Sequence, residues 1–189
     1  MNNKEIRYTT TPVQYRAADG TASREIVGVA AMVGTRATIG WFDEEISPGA
    51  FDGVLGNDVR CLGNHDANIV FGRTAAGTLQ LSLDANGHLV YRCQMPETTT
   101  GNDWLELIKR GDISQSSFAF AIEDETWIER TGQNPLRIIN RFAQLYDVSP
   151  VTYPAYPTTE VAARSMAAAL NHKHNARVGA ARAWVELYK

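Results

Sequence analysis

The chain has 189 residues, of which 44% are hydrophobic and 21% are charged, a balance typical of one domain with a single hydrophobic core. Its formal net charge is -3, and no run of Lys or Arg exceeds two residues. These features exclude the basic stripe with which nucleic-acid-binding proteins neutralise phosphates, so we expect no nucleic acid partner.

The N-terminus and the cysteines indicate the compartment. Met1–Thr11 is polar and carries three charged residues where a signal peptide would need an apolar segment. No apolar window approaches the ~20 residues that span a bilayer. Cys61 and Cys93 each lie inside an apolar stretch, which favours buried free thiols in a reducing compartment. We therefore expect a cytoplasmic protein without a membrane segment.

Short strands and turns occupy the first part of the chain. Ile26–Val33 is a run of β-branched and small residues that indicates a buried strand, and Thr38–Phe42 continues the sheet. Ser47–Phe51 contains Pro and Gly and is followed by apolar residues at helical spacing, which predicts a loop that leads into a short helix. Asp58–Leu62 indicates another strand, and His65 lies in the turn-forming residues at its end.

The clearest periodicities lie in the middle of the chain. Thr78–Arg92 contains two alternating segments around a turn, which predicts a β-hairpin. Asn102–Arg110 has apolar residues at helical spacing, with Asn102 as the expected N-cap and Gly111 as the C-terminal stop. Ile113–Ile122 returns to a period of two and predicts a strand with one bulky and one small face.

The last elements complete a strand-rich α+β pattern. Leu136–Val148 alternates and predicts a central strand, whereas the Ala-rich Thr158–Leu170 predicts a helix. We divide the chain into an N-terminal arm over residues 1–25, a folded domain over residues 26–162 and a C-terminal helical tail over residues 163–189. We expect the tail to be exposed and weakly docked.

Three polar residues occupy positions that suggest nucleophilic chemistry. His65 lies where an apolar strand ends, Ser117 lies on a strand face otherwise lined by Ala, and Asp147 interrupts an apolar strand end. Acyl transfer needs a hydroxyl, an imidazole that removes its proton and a carboxylate that orients the imidazole. The three residues together form a candidate triad.

Each member also has an ordinary structural explanation. His65 fits a hydrogen-bonded turn residue, Ser117 fits a structural serine on a half-buried strand, and Asp147 fits a cap of the turn that precedes Pro150. Ser114 is the main competitor for the nucleophile. Periodicity and residue type alone therefore support no named reaction.

Four sequence blocks change this assessment. They are Ser47–Phe51 with its Pro-Gly-Ala-Phe sequence after Glu45-Ile46, Asn64–Asp66 with Gly72-Arg73, Gly111–Phe120 ending in Ser-Phe-Ala-Phe, and Leu145–Pro157. In this order they resemble the conserved blocks of the tailed-phage prohead maturation protease family. The resemblance covers roughly residues 26–162, which makes these residues the expected protease domain.

The resemblance implies a fold and a set of roles. That family is similar in fold to the herpesvirus capsid-maturation proteases, which implies a mostly antiparallel β-barrel surrounded by a few helices. It assigns the nucleophile to Ser117 and the general base to His65. Asp147 is the expected third member, although relatives commonly place Glu at this position and the herpesvirus enzymes use a second His.

The resemblance also implies a biological setting. The expected activity is that of a serine endopeptidase that cleaves the scaffold segment of the major capsid protein, and itself, during procapsid maturation. The expected partners are therefore the capsid protein and a second copy of the chain, inside a procapsid in the host bacterial cytoplasm. No cofactor or metal is expected.

Two other functions remain open at the level of sequence. The first is a catalytically inactive scaffold or interaction domain with the same fold. The second is a metal-dependent hydrolase that uses His65, Asp66 and His172 or His174. Spacing disfavours the metal site, because two His at i, i+2 in a polar linker fit the usual i, i+4 pattern poorly.

Overall fold

Strands dominate the computed structural model, which describes residues 4–9, 11–18, 21–153 and Met166. The elements in chain order are β1 Glu5–Thr9, β2 Gln14–Ala18, β3 Thr21–Ala31, β4 Ala37–Ile39, β5 Phe42–Ile46, β6 Arg60–Gly63, β7 Asp66–Arg73, a 3-10 turn Thr74–Ala76, β8 Leu79–Leu83, β9 Leu89–Gln94, α1 Thr99–Arg110, β10 Gln115–Ile128 and β11 Leu136–Val151. Among the residues that the structure describes, no helix has the length and apolar character that a membrane crossing requires.

The strands form two sheets. The larger sheet has the order β1-β10-β11-β5-β4, and β6 adds to β11 and pairs in turn with β7. The smaller sheet has the order β2-β3-β9-β8. Most pairs are antiparallel, but β11 pairs in parallel with β5 and with β6. The core lies between the sheets, where Ile26 and Tyr91 of the smaller sheet join Phe118, Phe120 and Phe142 of the larger one.

The predicted β-rich α+β class is confirmed, whereas the predicted β-barrel is not, because the described strands form no closed barrel. A barrel closes only when the first and last strands of a sheet pair with each other. The main path of the larger sheet instead ends at β1 and at the three-residue β4, while β3 and β9 form a separate sheet. The likeness to herpesvirus proteases stays a prediction.

Several local predictions are confirmed, but the predicted N-cap of the helix is wrong. The hairpin appears as β8 and β9, and the helix appears as α1 with Gly111 in the left-handed C-cap conformation. The N-cap is Thr98 rather than Asn102, because the Thr98 side chain accepts a hydrogen bond from the Gly101 amide.

The short helix expected after Ser47–Phe51 is absent, and turns occupy this segment. Gly49 and Gly53 adopt φ angles of 81° and 88°, which interrupt a right-handed helix within each turn. Phe51 nevertheless reaches the core and stacks on Phe142.

The N-terminal and C-terminal segments differ in how much the structure describes. Residues 5–9 and 14–18, assigned to an arm from sequence, form β1 and β2 and pair with β10 and β3. The predicted helix over Thr158–Leu170 and the tail lie outside the described residues, apart from Met166.

Cys61 and Cys93 are buried and free, as expected, and burial raises the pKa of the Cys61 thiol.

A buried charge cluster of Glu5, Arg7, Glu44 and Arg137 joins β1 to β5 and β11. Arg137 contacts both carboxylate oxygens of Glu5, at 2.7 and 2.8 Å, and one oxygen of Glu44 at 3.2 Å. Arg7 contacts the same two carboxylates at 2.6 to 2.8 Å. Arg137 also donates from Nε to Oε2 of Glu125 at 2.6 Å, so the two guanidinium groups lie among three carboxylates. The bidentate contact between Arg137 and Glu5 fixes the position of β1.

Replacement of Arg137 by Met is expected to lower the free energy of unfolding by about 3–5 kcal/mol, because a buried charge loses its partner. The Met side chain has a similar apolar volume but leaves Glu5 and Glu44 to share Arg7. Urea denaturation followed by circular dichroism measures the change. Arg141→Met, at an exposed ion pair with Glu123, is the matched control and should leave the midpoint unchanged. Equal midpoints for both variants would contradict the prediction.

The charge cluster also makes stability depend on pH. Burial by itself would raise the pKa of Glu5, but the hydrogen bonds and charges of Arg137 and Arg7 lower it below the ordinary value of 4.5. A lowered carboxylate pKa stabilises the fold fully above the ordinary pKa, and this contribution is lost as the pH falls through the lowered value. The urea concentration at the unfolding midpoint should therefore decrease as the pH is lowered into the acid range. In a Glu5→Gln variant this decrease with pH should be less steep.

Candidate active site

His65 lies in a tight turn between β6 and β7. Asn64 and His65 have φ angles of 52° and 60°, a left-handed conformation that is uncommon for residues other than Gly. The Asn64 side chain accepts a hydrogen bond from the Thr152 amide at 2.9 Å, and the Asn64 amide donates to the Pro150 carbonyl at 3.1 Å. These bonds tie the turn to the end of β11 and hold the imidazole in place.

Ser117 lies in β10 between two neighbouring strands. It pairs with Ser149 of β11, while Ala119 pairs with Asp147. Paired residues share a face of the sheet, so Ser117, Asp147 and Ser149 project together. Phe118 projects to the opposite face and joins the core. The alternation predicted from sequence therefore accounts for the position of the Ser117 hydroxyl.

The structure brings the three predicted residues into contact. The Ser117 hydroxyl lies 2.6 Å from Nε2 of His65, and Nδ1 of His65 is hydrogen bonded to Oδ1 of Asp147. Asp147 is 2% exposed, and Ser117 is fully buried. The contacts join residues from β10, from the β6–β7 turn and from β11.

Asp147 is held by two further donors. The Ser149 hydroxyl donates to Oδ1 at 3.0 Å, and the Lys4 ammonium group donates to Oδ2 at 3.0 Å. Burial by itself would raise the pKa of Asp147, but the hydrogen bond and charge of His65, followed by those of Lys4, lower it. Asp147 is therefore ionised at neutral pH.

The ionised carboxylate determines the imidazole tautomer. A carboxylate only accepts hydrogen bonds, so Nδ1 of His65 must carry the proton in its contact with Asp147. In the neutral imidazole Nε2 is then the acceptor, and it faces the Ser117 hydroxyl. This arrangement allows His65 to remove the hydroxyl proton.

The hydroxyl of Ser117 has a second acceptor within reach. Its oxygen lies 2.8 Å from the backbone carbonyl of Arg7 in β1. One proton can satisfy only one of the two acceptors at a time. The Ser117 hydroxyl must therefore rotate about its Cβ–Oγ bond, from the Arg7 carbonyl to Nε2 of His65, before its proton can be transferred.

The other serines of this segment lie elsewhere. The Ser116 hydroxyl lies 3.0 Å from the Tyr91 hydroxyl on the core side of β10. Ser114 precedes β10, and its carbonyl accepts a hydrogen bond from the Val13 amide. Of these candidates, Ser117 is the serine whose hydroxyl meets Nε2 of His65.

Metal ligands are not grouped in the described part of the chain. Residues 4–9, 11–18 and 21–153 contain no group of three or more His, Cys, Asp or Glu side chains arranged to hold a metal ion. His172 and His174, the other ligands considered from sequence, lie outside the described residues. A cavity of about 270 Å³ is lined by Phe118, by residues of β1, β4 and β5, and by the end of β3 with the loop that follows it. No member of the candidate triad lines this cavity.

Four contacts of the site are not predicted from sequence, and one of them is the Arg7 carbonyl, which lies 2.8 Å from the Ser117 hydroxyl. Ser149 shares a strand face with Asp147 at i, i+2, so strand alternation contains the signal for it. Asn64 belongs to the Asn64–Asp66 block, but the sequence pattern assigns no contact to it. Lys4 carries no local signal, because it is separated from Asp147 by 143 positions.

The comparisons with known proteins identify the family. The model of the caudovirus prohead serine protease family matches residues 11–173, which is most of the chain. The solved structure of the bacteriophage T4 capsid assembly protease, gp21, aligns at 14% identity and a TM-score of 0.46, over 81% of this chain and 100% of that one. No curated protein matches the chain. The extent of the family match shows that the chain belongs to the caudovirus prohead serine proteases.

Proposed function

We propose that the chain is a serine endopeptidase in which Ser117 is the nucleophile, His65 the general base and Asp147 the residue that orients His65. The observation that carries the proposal is the continuous contact from the Ser117 hydroxyl through His65 to Asp147 in a member of a serine protease family. The order of these three groups is the one that peptide hydrolysis requires.

The first half of the reaction forms an acyl-enzyme. Oγ of Ser117 attacks the carbonyl carbon of the scissile peptide bond while Nε2 of His65 takes the hydroxyl proton. The tetrahedral intermediate then collapses, and the protonated imidazole gives this proton to the leaving amine. Asp147 stabilises the imidazolium that exists between the two transfers, because its carboxylate remains ionised beside Nδ1.

The second half restores the enzyme. A water molecule attacks the acyl carbon, and His65 takes one proton from it and returns that proton to Oγ of Ser117 as the ester bond breaks. The products are the new carboxyl terminus and the free amine released earlier. The same residue therefore acts as base and then as acid in each half of the cycle.

The proposed substrates follow from the family. We infer that the chain cleaves the scaffold segment of the major capsid protein and its own polypeptide, within a procapsid assembled in the host bacterial cytoplasm. A maturation protease needs access to an extended peptide, and Tyr8, which pairs with Ser117, is partly exposed beside the site. We propose that the substrate approaches Ser117 across this part of β1.

We also propose that two copies of the chain form a homodimer.

Mass spectrometry of capsid protein co-expressed with this chain tests the function. Wild type should release the scaffold segment, Ser117→Ala should leave the capsid protein intact, and Ser114→Ala should cleave normally. Cleavage by Ser117→Ala, or its loss in Ser114→Ala alone, would overturn the assignment of the nucleophile. Intact capsid protein with wild type, in correctly assembled procapsids, would instead support an inactive scaffold domain.

A further inference from the structure

The first strand contributes to the site from outside the segment that matches the family. We propose that Lys4, the residue immediately before β1, is a positioning residue that holds the second carboxylate oxygen of Asp147. This inference rests on the proposed function. The family match begins at residue 11, so the shared motifs do not include Lys4.

Strand alternation places Lys4 on the correct face. The side chains of Glu5, Arg7 and Thr9 are buried, whereas Ile6 and Tyr8 alternate with them and pair with Ala119 and Ser117. Even-numbered residues of this segment therefore face the same side of the sheet as the Ser117 hydroxyl.

Lys4 supplies the partner of one oxygen of Asp147. Oδ1 receives hydrogen bonds from His65 and Ser149, and Oδ2 receives one from Lys4 at 3.0 Å. The ammonium group also lies 5.6 Å from the centre of the Tyr146 ring, within cation–π range. With donors on both oxygens, the carboxylate cannot rotate about its Cβ–Cγ bond without losing hydrogen bonds. The orientation of His65 depends on that carboxylate.

The anchorage of β1 explains how a long side chain at its start is placed. Glu5, the next residue, is buried and bonded to Arg137 through both carboxylate oxygens. Arg7 is bonded to Glu44, and its carbonyl lies 2.8 Å from the Ser117 hydroxyl. The backbone beside Lys4 is therefore fixed relative to β11 and to the Ser117 hydroxyl.

Lys4 has two opposing effects on the reaction. Its positive charge disfavours formation of the imidazolium of His65, whereas its hydrogen bond keeps Asp147 oriented towards His65. Lys4 is 36% exposed at its side chain, so water and salt screen the charge effect, whereas the hydrogen bond acts at short range. Orientation therefore dominates, and loss of Lys4 should slow the reaction by about three- to tenfold.

Labelling of the full-length chain by an alkyl fluorophosphonate tests this inference without a known cleavage sequence. Lys4→Met, which keeps the length of the side chain, should lower the second-order labelling rate by about three- to tenfold at an unchanged melting temperature. Lys4→Arg should restore most of the rate, because it also donates to Oδ2. Arg36→Met, at the exposed pair with Glu45, is the matched control and should label like wild type.

The outcomes separate the inference from the proposed function. If Ser117→Ala is not labelled but Lys4→Met reacts as fast as wild type, the role of Lys4 is refuted and the function stands. If Lys4→Met loses rate and melting temperature together and Lys4→Arg restores neither, Lys4 is structural and the inference is also refuted. Labelling of Ser117→Ala at the wild-type rate would overturn the proposed function itself.

Discussion

Ser117→Ala, His65→Ala and the double variant are each expected to lower kcat by about the same factor, on the order of 10⁶. The reason is that the two groups act in one step. The Ser117 hydroxyl is a weak nucleophile unless Nε2 of His65, 2.6 Å away, removes its proton. Once either residue has been replaced, replacement of the other should therefore cause no further loss of kcat. Steady-state cleavage of a peptide that spans a mapped capsid cleavage site measures the three rates.

Folding must be separated from chemistry in this experiment. His65 adopts a left-handed conformation, and Ala is less tolerant of it than Gly or Asn, so His65→Ala carries a risk of local rearrangement. His65→Asn provides a second variant that is compatible with the backbone and lacks the base. Circular dichroism should show native folding for each variant. Rate losses that multiply in the double variant would show that Ser117 and His65 do not act as a unit.

Asp147→Asn is expected to lower kcat by about 10⁴ with little change in KM. An Asn side chain is neutral and can present its NH2 group to Nδ1, which favours the imidazole tautomer that has its proton on Nε2. That tautomer cannot accept the Ser117 proton. The variant also removes the charge that stabilises the imidazolium and leaves Lys4 without its carboxylate partner.

A matched control must show that loss of a carboxylate elsewhere on the chain does not lower kcat. Asp58→Asn removes a carboxylate from an exposed ion pair with Arg73 and should leave kcat at the wild-type value. The Ser117 hydroxyl remains in Asp147→Asn, so slow labelling by a fluorophosphonate should persist. A kcat within threefold of wild type would show that another group orients His65.

Strand and helix periods predict much of the local structure correctly. The β8–β9 hairpin, α1 and the long strands β10 and β11 coincide with patterns that extend over many residues. Apolar residues at i, i+4 after Ser47 predict a helix, whereas the positive φ angles of Gly49 and Gly53 rule this helix out. Here the backbone conformation of Gly outweighed the side-chain spacing.

Apart from the turns after Ser47 and the N-cap of α1, the amino-acid sequence by itself determined the local elements, the core face of β10 and, through the order of its motifs, the three residues of the candidate triad. Only the tertiary structure decided how the strands pair, that the sheets remain open, and that β1 brings Lys4 and the Arg7 carbonyl to the site. The physical reason is the range of the interactions. Periodicity reflects contacts within one element, whereas Lys4 meets Asp147 across 143 positions and Arg7 meets Ser117 across 110. Such contacts depend on cross-strand register, which no local pattern of residues encodes.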